Sequence, residues 1–415
     1  MRKKSVFVNC METLTANRKH NEARTLLNAG LKESAQRQTA ATAPAYVPTK
    51  PYVFPAVDGN MTYHTSWGSH GVKEEAETIL SVLSSFRLRS TLAKINQGPR
   101  LTQYVIEPAP GTQVQSILRR EKEFQAALHC NASLRFDNGY VYIEVPTGTE
   151  TVFLGDMLID NAFQSSDGFT MAIGMAVDGS KHYIDIAKAC HILISGMTGS
   201  GKSIVLHNLI LSLLMKKDPV QMHLYTIDPK ATEFEYYKNL AACTVVSEVN
   251  GAVDLLKNLC IEMDRRYSVL AAAGCRDIDS YNQKFADSPM RRDIVFIDEL
   301  SDLMSMGGKS VEGYIVRIAQ KARACGIHLV IATQYPVAKV VTGLIKANMP
   351  TKICLRVSTV TNSMVALDMA GGEKLMGHGD MLFLPNGSLT PIRLQGGFVS
   401  ETAINNIVSG LMKNQ

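Results

Sequence analysis

The chain has 415 residues, 46% of them apolar and 20% charged, which suits two or three globular domains with a sizeable core. Its net charge of +5 does not mark the body as a nucleic-acid binder, because residues 1–40 carry eight Lys/Arg against three Asp/Glu and the rest balance at 35 against 35. The longest near-continuous apolar stretch, LHNLILSLLM, falls short of the roughly 20 residues a membrane span requires, and MRKK runs into SVFVNCMETLTANRKH without the apolar core of a signal peptide.

No membrane insertion is therefore expected, and the expected location is the cytoplasm. The eight cysteines, from Cys10 to Cys354, include no C-x-x-C pair, so they read as reduced thiols and lend no support to a metal site.

Residues 1–68 form a basic extension followed by the Pro/Ala-rich ATAPAYVPTKPYVFPAVDGN, which lacks the period of a packed element. It is expected to be flexible and to offer a docking segment for a recruiting protein. A small α+β domain is expected over 69–165. VKEEAETILSVLSSF has helical amphipathicity, LTQYVIEP reads as a strand, and TQVQSILRREKEFQAALH predicts one helix with Val114, Ile117, Leu118, Phe124 and Leu128 on one side. SLRF and YVYIEVP flank the turn Asp137-Asn138-Gly139, with Val141, Ile143 and Val145 alternating against Tyr142 and Glu144.

Over 166–402 strands and helices alternate, which predicts an α/β domain built on a parallel central sheet, followed by a tail over 403–415. Four apolar strands end in polar residues: HILIS at the glycine-rich GMTGSGKS, MHLYTID at Asp228-Pro229, DIVFIDE at Asp298-Glu299 and GIHLVIATQ at Gln334. Ligands of open α/β sheets bind at such strand ends.

GMTGSGKS meets the phosphate-loop pattern with Gly196, Gly201, Lys202 and Ser203, while Met197, Thr198, Gly199 and Ser200 complete the loop. Successive backbone N–H groups and a helix N-terminus would cradle the phosphates of ATP. Lys202 is placed to reach the β- and γ-phosphates and Ser203 to ligate Mg²⁺. At the tip of DIVFIDE, Asp298 would hold Mg²⁺ through water and Glu299 would serve as general base. Gln334 is placed to sense the γ-phosphate. In VEGYIVRIAQKARAC, Val311, Tyr314, Ile315, Ile318 and Ala322 make the buried face and leave Arg323 in the last turn, where a ring-forming ATPase could present it to its neighbour.

GMTGSGKS, IDPK, MDRRY, FIDEL with DLM, AQKARACGIHLVIATQ and TGLIKANMPT together resemble the FtsK/SpoIIIE DNA translocases. GGEKLMGHGDML and LQGGFVS extend the likeness, and GPRLTQYVIEPAPG resembles the family's α-domain. The resemblance implies a RecA-like P-loop ATPase motor that forms a homo-hexameric ring and pulls double-stranded DNA through its channel. It implies Lys202 and Ser203 as Walker A residues, Asp298 and Glu299 as Walker B, Gln334 as sensor and Arg323 as a trans-acting arginine finger.

Two departures stand out. The family's T-Q-R-P is Thr333-Gln334-Tyr335-Pro336 here, and neither a membrane anchor nor a DNA-reading winged-helix domain is expected in this chain. The rival expectation is a protein-secretion or conjugative-transfer motor of the same superfamily.

Overall fold

The computed structural model describes residues 71–146 and 151–413, so the expected extension over 1–68, with its docking role, lies outside the described residues. The first unit contains α1 (Val72–Ser85), β1 (Ser90–Gln97), β2 (Leu101–Pro108), α2 (Val114–Leu118), α3 (Glu121–Leu128), β3 (Ser133–Asp137) and β4 (Tyr140–Pro146). Its four strands form an antiparallel sheet in the order β1-β2-β4-β3. The turn at Asn138 and Gly139 takes φ values of 48° and 86°, which Asn and Gly tolerate best. The single helix expected over 112–129 is broken at Arg120, whose φ of −92° and ψ of 17° leave the helical region, yet Ile117 and Phe124 still meet in one core with Ile79, Ile106 and Ile143.

The second unit starts earlier than the boundary expected at 165. Helices α4 (Leu154–Leu158) and α5 (Asn161–Gln164) bury Leu154, Met157, Leu158 and Phe163 in the core of the larger unit. There follow β5 (Thr170–Ala176), β6 (Lys181–Asp185), α6 (Ile186–Ala189), β7 (Ile192–Ser195), α7 (Lys202–Leu214), β8 (Met222–Ile227), β9 (Cys243–Val246), α8 (Val249–Ala273), α9 (Ile278–Lys284), β10 (Arg292–Ile297), α10 (Leu300–Lys321) and β11 (Ile327–Thr333). The chain continues through α11 (Gly343–Ala347), β12 (Thr351–Leu355), α12 (Val360–Leu367), β13 (Asp380–Leu384), β14 (Ile392–Gln395) and α13 (Glu401–Lys413). The tail expected over 403–415 is in fact helix α13 up to Lys413, anchored in the core by Ala403, Ile404, Ile407, Val408 and Leu411.

Ten strands make one sheet in the order β6-β5-β14-β13-β12-β7-β11-β10-β8-β9. From β12 to β9 every pairing is parallel, as expected; from β13 to β6 every pairing is antiparallel. The sheet is thus mixed, with a parallel half that carries the phosphate loop and an antiparallel wing. Strand β7 shows why the parallel strands are continuous apolar runs: Ile192 and Ile194 enter one core layer and Leu193 the opposite one, so both faces are covered.

Glu144 breaks the alternation expected of β4. It is only 4% exposed and receives Arg135 and Gln103 from its own sheet and Arg393 of β14 from the larger unit. Arg393 also holds Asp380 of β13 through two hydrogen bonds of 3.0 and 2.7 Å. Burial alone would raise the Glu144 carboxyl, but the two guanidinium groups beside it hold it below its usual range. The two units are joined by this buried Glu144–Arg393–Asp380 triad.

Four histidines are buried in the larger unit. Burial lowers His191 and His207 to about 4 and His223 and His328 to about 3. Each is neutral in the fold, while the unfolded chain takes up protons near pH 6.5. Their contribution to stability is therefore complete above pH 6.5 and is lost as pH falls toward 4, by up to roughly 3 kcal/mol per histidine. Urea midpoints should be level between pH 7.5 and 6.5 and drop steeply by pH 5.

Candidate nucleotide site

Strand β7 ends at Ser195, and the loop 196–201 turns directly into α7. At Gly201 φ is 101°, and a Cβ there would meet the Gly379 backbone nitrogen at 2.6 Å, so only glycine fits. The first N–H groups of α7 have no partners within the helix and face the loop. The loop opens on a cleft of about 490 Å³ whose other walls include Val152, Glu233, Gln334, Gly379 and Phe398.

Lys202 is 4% exposed, and its Nζ donates to Asp298 Oδ1 at 2.5 Å and to the Asp298 carbonyl at 2.6 Å. The loop lysine and the carboxylate at the tip of β10 are thus brought together. Glu299 caps α10. Its Oε1 accepts from Ser301 N, Ser301 Oγ and Thr333 Oγ1 at 3.1, 2.8 and 2.7 Å, and its Oε2 accepts from Gln334 N at 2.9 Å. A carboxylate offers about four acceptor sites, so Oε2 retains one for a proton. Gln334 also accepts from Thr198 Oγ1 at 2.8 Å, which ties the tip of β11 to the phosphate loop.

Arg323 is placed elsewhere. It lies in the turn after α10, exposed, at the entry of β11, and not in the helix's last turn as expected. Seven residues of β11 separate that turn from Gln334, about 23 Å at strand rise. Its charge acts on Cys190 and His191, which lead into β7, at the end of the central strands opposite the phosphate loop. Tyr335, which stands in place of the family arginine, is 63% exposed.

Sequence reasoning passed over Glu233. Asp228, fully buried at the tip of β8, accepts from the backbone N–H groups of Lys230, Thr232, Glu233 and Phe234, and so shapes the loop that presents Glu233 beside the Ser203 hydroxyl. Burial raises the Glu233 carboxyl; the Ser203 hydroxyl opposes this, and the nearby Asp298 and Asp228 add to it. The available signal was the IDPK motif, whose Asp228 lies five residues ahead of Glu233.

The FtsK alpha domain model matches residues 59–147 and the FtsK/SpoIIIE family model residues 154–338. The chain is 40% identical to the DNA translocase SftA of Bacillus subtilis over 86% of its own length and 39% of that protein's. It is also 40% identical to a DNA translocase FtsK of Caldanaerobacter subterraneus, over 82% of its length and 49% of the relative's. It therefore spans half or less of these curated relatives. Among solved structures, the pCW3 conjugation coupling protein TcpA, in a monomer form with ATPγS, shares 25% identity and a TM-score of 0.58, over 82% of this chain and 99% of that one. The Thermomonospora curvata type VII secretion ATPase EccC, at 22% identity and a TM-score of 0.54 over 64% of this chain and 34% of that one, shares the fold. No described helix is long and apolar enough to cross a membrane. With both models matched in order and Lys202, Asp298, Glu299 and Gln334 gathered around one phosphate loop, the chain belongs to the FtsK/SpoIIIE family.

Proposed function

We propose that the chain is an ATP-driven translocase of double-stranded DNA that works as a homo-hexameric ring with its ATP sites between subunits. The observation that carries this is the separation of Arg323 from its own phosphate loop: Lys202, Glu233, Gln334 and Arg100 line the cleft, with Asp298 and Glu299 buried beside it, while the exposed Arg323 lies at the opposite end of β11. DNA as the substrate is supported by what SftA and FtsK are named for.

The donor set fits Mg²⁺ with ATP. Ser203, Asp298 and Glu233 offer oxygen ligands only, which suit a hard cation. Among the described residues no group of three or more His, Cys, Asp or Glu forms a cage of its own, so the phosphates would complete the coordination. Bound Mg²⁺·ATP supplies the electrophilic γ-phosphorus and neutralises part of its charge. The chain's residues do the rest. Lys202 places a fixed charge on the phosphates, Glu299 Oε2 takes a proton from water, and Gln334 couples that carboxylate to the loop through its own N–H and Thr198. Arg323 of a neighbouring subunit would supply the remaining positive charge.

ATP turnover is expected to rise several-fold with long duplex DNA. The DNA affinity should fall steeply with salt and vary little between unrelated sequences, because contacts to phosphates carry no sequence information. Phosphate release with and without DNA at two salt concentrations, paired with native mass measurement, checks this; turnover indifferent to duplex DNA would remove the proposal. The second reading, a secretion or conjugative-transfer motor, is favoured by the coverage of TcpA; its secretion form predicts stimulation by a protein substrate in place of duplex DNA.

A further inference from the structure

The small unit reaches the nucleotide cleft with one side chain. Strands β1 and β2 are joined by the turn Gly98-Pro99-Arg100, closed by the Gly98 N–H donating to the Leu101 carbonyl at 3.0 Å. This turn is seated on the larger unit: a Cβ at Gly98 would meet Val177 Cα at 3.0 Å and its carbonyl oxygen at 3.1 Å. Pro99 fixes the backbone just before Arg100. The arginine is therefore held by two sides of a rigid turn, not carried on a loose loop.

Its guanidinium lines the same cleft as Lys202, Ser203 and Gln334. One N–H group, on Nη1, donates to the His378 carbonyl at 3.2 Å, and that carbonyl also accepts from Gln395 Nε2 at 2.8 Å. The next residue, Gly379, donates its N–H to the Ser200 carbonyl at 2.8 Å and packs on Gly201, so Arg100 lies one peptide away from the phosphate loop at the N-terminus of α7. Arg100 Nε is shut off from solvent with no hydrogen-bond partner, and among the described residues no carboxylate is paired with this guanidinium. An arginine has five donors, and a half-buried one with no carboxylate partner beside an anion site is complementary to an oxyanion.

We propose that Arg100 is a nucleotide-contacting residue, its guanidinium pairing with the α-phosphate of the bound nucleotide. This rests on the cleft being the nucleotide site. The α-phosphate is the group concerned because Arg100 stands beside Gly201 and the start of α7, whereas the γ-phosphate end is marked by Gln334, Glu299 and Thr198. The small domain is then part of the ATP site, and nucleotide occupancy adds a contact between the two units.

Calorimetric titration of the full chain with ATPγS and with ADP, both with Mg²⁺, tests this. Arg100→Ala should weaken both ligands equally, by about tenfold, as expected for one charge-assisted contact; Arg100→Lys should recover part of the loss. Adenosine, measured by competition, should bind Arg100→Ala as it binds the wild type. Wild-type affinity for both nucleotides, a loss confined to ATPγS, or an equal loss for adenosine would each overturn the assignment, the last because it would show that Arg100 only shapes the cleft. Should Arg100→Ala fail to fold, Arg100→Gln keeps an N–H for the His378 carbonyl without the charge and takes its place. Lys202→Ala reads the parent assignment separately: undiminished ATPγS affinity there would remove the nucleotide site itself, whereas its loss in Lys202→Ala alone sinks only the role of Arg100.

Discussion

Arg323→Ala protein is expected to bind ATP as the wild type does and to hydrolyse it about 10³- to 10⁵-fold more slowly, the range an arginine finger contributes in related nucleotide hydrolases. Binding survives because Lys202 and the loop are untouched, and β11 keeps the mutated turn at the opposite end of the strands. Lys202→Ala is inactive for the opposite reason. Mixing the two inactive proteins under conditions that let subunits exchange pairs some intact loops with intact arginines, and those interfaces should recover DNA-stimulated phosphate release, with a maximum at intermediate ratios. A flat profile despite proven co-assembly would mean that Arg323 has no role across a subunit boundary.

Glu299→Gln should separate binding from chemistry. The amide can still accept from Ser301 and Thr333, but its NH₂ then meets the Gln334 N–H, and no oxygen remains to take a proton. Turnover should fall by roughly 10² to 10⁴ while nucleotide stays bound, because the loss of a general base acts on the transition state. Lys202→Ala should lose binding as well. It should also lower the stability of the nucleotide-free protein, by roughly 3 kcal/mol, since it strands the buried Asp298 carboxylate without its cation. Filter binding, single-turnover phosphate release and thermal unfolding of the two variants distinguish the cases. Glu299→Gln turning over at the wild-type rate would refute the assignment of the base.

The strand-tip residues were legible because strands covered on both faces carry long apolar runs, and the polar residues that close the run mark the tip: Asp298 after Ile294–Ile297 and Thr333-Gln334 after Leu329–Ala332. What escaped was decided by partners distant in sequence. Glu144 falls on the outward register of its strand, and nothing nearby announces Arg393 as the charge that lets it be buried. Leu154 to Phe163 carry the same apolar spacing whichever unit they join. Arg100 and Glu233 sit on turns, where no periodicity aims a side chain, and their relation to the phosphate loop depends on how β1–β2 and β8 are docked. Arg323 was identified by residue type and neighbourhood; only the strand direction shows at which end of the central strands it lies.

The antiparallel wing has a bearing on how the protein is made. On their β14 side, Met175 and Ala176 of β5 pair with Gln395 and Leu394, and Phe398 pairs back to Phe153, so the sheet closes across most of the larger unit's sequence. On the ribosome, where the N-terminal part emerges first, the phosphate loop is synthesised long before the wing that walls its cleft can form. Contacts of such separation are slow to make. A nascent chain ending before Ile392 would hold Lys202 and Asp298 but lack Gly396 and Phe398 from the cleft, and Asn208 of α7 would lack its Gly397 carbonyl. The cleft wall formed by Gly396, Gly397 and Phe398 is thus the last part of the cleft to be synthesised.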